Sequence, residues 1–274
     1  MYKYKRYKSD MHMHSIYSDG FLTPHELVRE GVKRGVQVMS LTDHDTMQGV
    51  SEMLEECKKA GIIGLSGVEF SSMGECEVHI IGYGLDPLDE NLQKEIKELQ
   101  EARDRRNAEL LQKLAEHDMI VTVEEMREFS GHVLGRSQIG LVMAKKGYVR
   151  NVNQAFDLWI GNGKPCFISS HKKTPEEIIR LIKRYGGKAV LAHPGRLKMK
   201  NQEPFIASLA SEGLHGIEVH YSTHSYEEVR FYNRMAKKYN LIATVGSDFH
   251  GEGRSAKIGK PDWGMDEKII RELM

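Results

Sequence analysis

Short apolar runs alternate with longer amphipathic stretches along this chain, and almost every apolar run delivers a His, Asp or Glu at its end. The alternation predicts an α/β domain. Strands are expected at Asp10–His14, Val36–Thr42, Gly61–Glu69, Glu77–Gly82, Ala189–Ala192, Gly216–Val219 and Leu241–Val245. Helices are expected at Pro24–Arg34, Gly49–Ala60, Pro175–Tyr185, Glu203–Ser211 and Ser225–Tyr239. Thr23-Pro24 and Thr174-Pro175 each read as an N-cap followed by proline at the first helical position, with Glu26 and Glu176–Glu177 in the first turn. In a closed β/α barrel the C-terminal strand ends form the face where active sites are built.

The residues at those ends share one chemistry. The first strand reads Asp10-Met11-His12-Met13-His14, so alternation puts His12 and His14 on one side and sends Met11 and Met13 into packing. Two imidazoles so placed make half a metal site. Asp19 follows on a Ser-Asp-Gly turn. Later ends supply His44 within Thr42-Asp43-His44-Asp45, then Glu69, His193 before Pro194-Gly195, and Asp248 and His250 within Ser247-Asp248-Phe249-His250. The strand around Ile80 instead begins with Glu77-Val78-His79. A single hydrogen-bonded core histidine is ordinary. Six histidines and three acids repeated at strand ends point to metal binding.

Composition narrows the setting. The 274 residues suit one large domain, or one domain with a smaller insert. Lys plus Arg and Asp plus Glu both number 39, which argues against bulk electrostatic attachment to nucleic acid, and no DNA-binding module is evident. Cys57, Cys76 and Cys166 form no CxxC pair, so a reducing cytoplasm is the expected setting. Met1–Asp10 is basic but leads into no apolar h-region, so no signal peptide is expected, and no apolar run is long enough to span a membrane. Leu88 to Pro165 differs from the rest: Leu88–His117 carries Leu92, Ile96, Leu99, Ala102, Leu110 and Leu114 at helical spacings, and Val121–Phe129 and Ile139–Lys146 also read as helical. Residues 91–166 are therefore expected to be a helical insert between two parts of the α/β core, 1–90 and 167–274.

Taken together, Asp10–Gly20 (DMHMHSIYSDG), Leu41–Thr46 (LTDHDT), Gly67–Ser71 (GVEFS), Val78–Gly84 (VHIIGYG), Ala192–Gly195 (AHPG) and Gly246–Gly251 (GSDFHG) resemble the polymerase-and-histidinol-phosphatase, or PHP, superfamily. The motifs stand in the family's order and span the chain outside the insert. Asp19 and the helical insert resemble the branch that contains nucleoside 3′,5′-bisphosphate phosphatase and the 5′→3′ exoribonuclease RNase AM. The resemblance implies a distorted (β/α)7 barrel with up to three divalent metals. It assigns His12, His14, Glu69 and Asp248 to the first, Glu69 as a bridge with His79 and His193 to the second, and Asp19, His44 and His250 to the third. Such ligands suit manganese first, with iron, zinc or magnesium also compatible. Asp10 and Asp43 are expected to orient histidines rather than ligate.

The insert carries Gly135-Arg136-Ser137-Gln138 where the resembling branch has Gly-Arg-Pro-His and contacts phosphate. Arg136 maps as a bidentate clamp. Ser137 and Gln138 depart, which leaves open the contact that the missing histidine makes. His171, Lys172 and Lys173 either meet a second phosphate or form a solvated basic turn. His220 and His224 are expected on the active face, as proton donor or substrate contact. The expected activity is hydrolysis of a phosphate ester by a metal-bridging hydroxide, with Glu69 and Asp248 central and Arg136 neutralising charge. The substrate is expected to be a nucleoside 3′,5′-bisphosphate or a short RNA trimmed from its 5′ end. Two alternatives stand beside it. Histidinol-phosphate phosphatase would need an acidic pocket that no cluster of spare acids announces. A catalytically inactive metal-binding PHP module would not need the complete ligand set.

Overall fold

Eight strands form one sheet, in the order β7-β6-β5-β4-β3-β2-β1-β8, in the computed structural model. The structure describes residues 5–129, 133–169, 172–251 and 256–274. The strands are β1 (Arg6–Asp10), β2 (Val38–Leu41), β3 (Ile63–Met73), β4 (Glu77–Tyr83), β5 (Lys188–Leu191), β6 (Gly216–Tyr221), β7 (Ile242–Gly246) and β8 (Gly264–Asp266). β1, β2 and β3 pair in parallel, as do β5, β6 and β7. β4 runs antiparallel to both of its neighbours, with Ser71 opposite His79 and Ile80 opposite Leu191. That reversal decides where His79 goes: the start of an antiparallel strand lies level with the ends of its parallel neighbours.

The sheet closes into a barrel through the segment after β1. Met11 N–H donates to Val245 at 3.0 Å, Asp248 N–H to His12 at 2.8 Å, and His14 N–H to Phe249 at 2.9 Å. The expected first strand, Asp10–His14, is corrected here. β1 ends at Asp10, because the amides beyond it bind β7 and its continuation while Thr42 N–H and Oγ1 bind Met13. The extended segment still sends its methionines into packing, Met11 to the barrel interior and Met13 to the layer beneath α1 (Pro24–Lys33) and α2 (Val50–Ala60). β3 likewise runs past Glu69 to Met73, since its hairpin with β4 continues to the Met73–Glu77 pair. β8 adds antiparallel to the outer edge of β1.

The remaining helices are α3 (Glu90–Ala115), α4 (Val123–Arg127), α5 (Arg136–Lys145), α6 (Val152–Ala155), α7 (Pro175–Arg184), α8 (Glu203–Glu212), α9 (Tyr226–Lys238) and α10 (Glu267–Leu273). The expected N-caps form as capping boxes: Thr23 accepts from Glu26 N–H and Thr174 from Glu177 N–H. Inside the barrel, Leu65, Ile81, Tyr83, Val190 and Val245 make an apolar plug below the site, and the Tyr83 hydroxyl is satisfied by Met11 O at 2.7 Å. The segments between β4 and β5 have an apolar cluster of their own, including Leu110, Leu114, Met126, Ile139, Met143 and Ile160. No described helix is long and apolar enough to cross a membrane.

Leu114 is fully buried in that second cluster. Leu114→Ala is expected to destabilise the protein by about 2–5 kcal/mol, lowering the melting temperature by several degrees while metal content stays as in wild type. An unchanged melting temperature in calorimetry would show that this cluster lies outside the cooperative unit.

Candidate metal centre

Glu69 is fully buried on β3 and stands at the centre of a ring of imidazoles. Its Oε1 lies 2.8 Å from His193 Nε2 and 2.9 Å from His79 Nδ1. Its Oε2 lies 2.9 Å from His44 Nδ1, 3.3 Å from His14 Nε2 and 3.4 Å from His12 Nε2. Asp248 Oδ1 is 3.1 Å from His14 Nε2 and 3.5 Å from His12 Nε2. Asp19 Oδ1 is 3.1 Å from His250 Nε2, and 3.8 Å from both His14 Nδ1 and His44 Nε2. The nine expected metal residues thus meet in one place. Among the described residues, four overlapping groups could each hold an ion: His12, His14 and Asp248; His12, Glu69 and His193; His44, Glu69 and His79; and His14, Asp19, His44 and His250. The grouping differs in detail from the expectation, since His44 reaches Glu69 as well as Asp19.

The donors fit divalent cations. His44 Nδ1 and Glu69 Oε2 are 2.9 Å apart and buried, yet neither makes an aligned hydrogen bond. His12 and His14 bring their Nε2 atoms within 3.2 Å of each other. Lone pairs that converge on a common point, rather than on each other's protons, are what a bound cation uses. The local electrostatics are correspondingly tense. Burial pulls His44 down to about 4 against the pull of Glu69 and Asp19. Burial opposes charge on His14 too, but Asp248 and Glu69 raise it to about 10.

Backbone strain and close packing hold the ligands in place. Asp45, His193 and Asp248 all have positive φ, at 48°, 27° and 54°, which costs roughly 1–3 kcal/mol per residue and persists where the surroundings fix it. At Gly246 a Cβ would stand 2.1 Å from Glu218 Oε1 and 2.3 Å from His12 Cβ, so only glycine lets β7 pass. Asp43 accepts Ser15 N–H and the hydroxyls of Ser15 and Ser18, and Ser18 Oγ lies 3.4 Å from His14 Nδ1. Asp10 acts on His12 through the backbone and not through an imidazole: its Oδ1 accepts His12 N–H at 3.4 Å. It accepts the amides of Ser247 and Gly259 and so ties the barrel's closing segments together, its carboxyl raised by burial to about 6.

A cavity of about 330 Å³ opens over the cluster, and its far wall comes from the segments between β4 and β5. Arg136 lines it, with Nη2 on Glu77, Nη1 3.3 Å from Ile160 O, and its guanidinium between the Phe156 and Phe167 rings. Lys172 also donates to Glu77. Lys173 instead pairs with Glu95 at 3.5 Å. His171 lies outside the described residues. Two expectations fare differently. The His220 ring stacks on Trp263 at 3.7 Å and is not among the residues lining the cavity. His224 accepts Gly195 N–H at Nε2 and meets Val219 O through Nδ1, so neither nitrogen is left for proton transfer.

The PHP domain family matches residues 10–252. The chain belongs to that family. It is 31% identical over 278 residues to a 3′,5′-nucleoside bisphosphate phosphatase of Chromobacterium violaceum, covering 96% of this chain and 98% of the relative. It is 30% identical to a 5′-3′ exoribonuclease of Haemophilus influenzae, covering 92% of this chain and 93% of the relative. Among solved structures it matches an amidohydrolase from Chromobacterium violaceum with bound sulfate and no metal, at a TM-score of 0.87 and 30% identity, covering 97% and 95% of the two chains. Family and relatives make the chain a metal-dependent phosphoesterase.

Several site residues were invisible to motif reading. Arg103 and Arg106 sit on the buried stripe of α3 with Leu99 and Leu110. Their signal was two arginines at positions where the helical spacing calls for apolar side chains. Arg196 follows His193-Pro194-Gly195 directly; it and the Tyr221 hydroxyl hold Asp248 Oδ2 at 3.0 and 2.7 Å. Glu218, an acid inside an apolar strand, lies with Oε1 3.2 Å from His12 Nδ1 and with Oε2 accepting His193 N–H at 2.7 Å. A carboxylate on Nδ1 fixes the tautomer that leaves Nε2 free to ligate. Glu218→Gln is expected to weaken metal binding about 10- to 100-fold, measured by competition with a chelator. Affinity equal to wild type would reduce Glu218 to packing.

Proposed function

We propose that this phosphoesterase hydrolyses nucleotide phosphate esters that carry a second phosphate: a nucleoside 3′,5′-bisphosphate, or the 5′-phosphorylated end of a short RNA. The observation that carries the reading is Arg106. It is 4% exposed, lines the same cavity as the histidine cluster, and among the described residues has no hydrogen-bond partner at Nε or Nη2. A buried, unpaired guanidinium is costly unless an anion completes it. Burial, with Arg103 and Arg136 nearby, lowers it to about 9, so it remains a cation at neutral pH. The cavity volume lies at the small end of the range for ligand pockets, which suits one nucleotide or a chain end. The cationic wall speaks against an ammonium-bearing substrate such as histidinol phosphate. A 3′,5′-bisphosphate and a 5′-phosphorylated chain end present the same pair of phosphates, so one site serves both.

In this reading His12, His14, Glu69 and Asp248 hold one divalent ion, Glu69 with His79 and His193 a second, and Asp19, His44 and His250 a third, with manganese the proposed metal. When bound, such ions supply Lewis acidity toward phosphoryl oxygens and a lowered pKa for water. Glu69 presents one oxygen to each side of the cluster. Arg196 and Tyr221 hold the outer oxygen of Asp248 so that the inner one faces His12 and His14. Arg106, Arg136 and Lys172 receive the second phosphate and so orient the reacting ester. The reducing cytoplasm remains the proposed setting.

Two variants test this. Glu69→Gln exchanges an anionic oxygen for an amide in the shared position, and should abolish nearly all turnover with a measurable fall in metal content. Full metal occupancy with activity within tenfold of wild type would overturn the bridging role. Arg106→Ala should cost roughly 1.5–3 kcal/mol in the transition state for a 3′,5′-bisphosphate, about ten- to a hundredfold in kcat/KM. The loss on a generic aryl phosphate should be at least tenfold smaller. Equal losses on both substrates would remove Arg106 from recognition of a second phosphate.

A further inference from the structure

The proposed phosphate clamp already holds an anion. Arg136 Nη2 donates to Glu77 Oε2 and Lys172 Nζ to Glu77 Oε1. Glu77 begins β4, and its Oε1 lies 3.8 Å from His79 Nε2. Burial disfavours its charge, but Lys172 and Arg136 hold the carboxyl well below the usual carboxylate range. Arg103, Arg106, Arg136 and Lys172 lie close enough to act on one another electrostatically, and among the described residues two carboxylates pair with them directly, Asp45 with Arg103 and Glu77 with Arg136 and Lys172. The two carboxylates are not equivalent. Asp45 is fixed by Arg103 Nε at 3.1 Å and by Ser71 N–H at 2.9 Å. Among the described residues, the Glu77 side chain meets only the two cations of the clamp and the edge of His79.

We infer that Glu77 is an internal competitor for the second-phosphate pocket, a specificity-determining residue whose carboxylate occupies the Arg136–Lys172 fork until a substrate phosphate displaces it. The inference rests on the second-phosphate reading given above. Exchange of one oxyanion for another at the same donors makes the affinity a difference between two charge-assisted pairings, weaker than an open fork would give. The pocket therefore recognises a phosphate without retaining it. Removing the Glu77 charge has two opposed effects: the fork loses an orienting partner and gains positive potential. The second prevails, because Arg136 keeps its hold on Ile160 O and its place between Phe156 and Phe167, and a glutamine retains a carbonyl oxygen for one donor.

The test is calorimetric titration of sulfate into the full chain with its metals. It is run at pH 6, where sulfate remains a dianion and Lys172, held near 8 by burial, remains protonated. Glu77→Gln should tighten sulfate at least tenfold and lower KM for a nucleoside 3′,5′-bisphosphate by a similar factor. Arg106→Ala should weaken sulfate at least tenfold. Glu77→Ala serves if the glutamine variant does not fold, with the same expected direction. Sulfate binding unchanged or weaker in the Glu77 variants, with Arg106→Ala still weakening it, would overturn the competitor role and leave the phosphate pocket standing. No effect of Arg106→Ala on either sulfate or the bisphosphate would overturn the pocket and the inference together.

Discussion

Glu69 carries its charge with no surface exposed to bulk solvent. A carboxylate in that position is stable only when cations or hydrogen-bond donors surround it, and here five imidazoles from four parts of the chain do so. His12 and His14 follow β1, His44 follows β2, His79 opens β4, His193 follows β5. Burial would raise the Glu69 carboxyl, yet His79, His12 and His44 hold it well below its ordinary value. Each of those strands must therefore finish at one level, and the loops beyond them must turn inward. The positive φ angles at His193 and Asp248 are the visible cost of that inward turn.

The reversal of β4 extends the same constraint. Had β4 been parallel, its start would lie at the opposite end of the barrel and His79 could not reach Glu69. The β3–β4 hairpin instead sets Ser71 beside His79 and brings Glu77 to the rim. From there Glu77 meets Arg136 and Lys172, while Asp45 beyond β2 meets Arg103 on α3. Two ion-paired links thus fasten the helical segments to the barrel at the edge of the cavity. They place Arg106 at the wall of the same cavity as the histidine cluster, with no carboxylate paired to it among the described residues.

What the sequence made legible follows from how directly each residue's role depends on local pattern. Strand ends carrying His, Asp and Glu are a local signal, and all nine of those residues meet in the structure. The closing of the barrel through His12–His14 was not legible, because an extended segment that pairs with β7 reads like a strand that pairs with β2. Glu218 carries no signal in sequence, because a lone acid in Gly216-Ile217-Glu218-Val219 has no partner nearby; His12 lies more than two hundred residues away. Arg103 and Arg106 lie within the helical stretch Leu88–His117, whose spacing marks only its apolar residues, yet they fill the gap between Leu99 and Leu110 on the buried stripe. His220 and His224 show the reverse error. Their position after an apolar run matched the pattern, but neighbouring Trp263 and the Gly195 amide had already engaged them.

Net neutrality conceals a sharp local separation of charge. Equal numbers of acidic and basic residues describe attraction at long range, but fields at a cavity wall act within a Debye length of about 8–10 Å. On one side of this cavity Asp19, Glu69 and Asp248 stand among six imidazoles, a set suited to cations. On the other, guanidiniums outnumber carboxylates. In the proposed reading the two phosphates of a substrate therefore meet different kinds of partner. The reacting phosphate would depend on bound ions, whereas the second meets Arg106, which remains charged at neutral pH. The two sets of partners come from different elements, so affinity for the substrate's remote end and competence to cleave it are separable properties of one cavity.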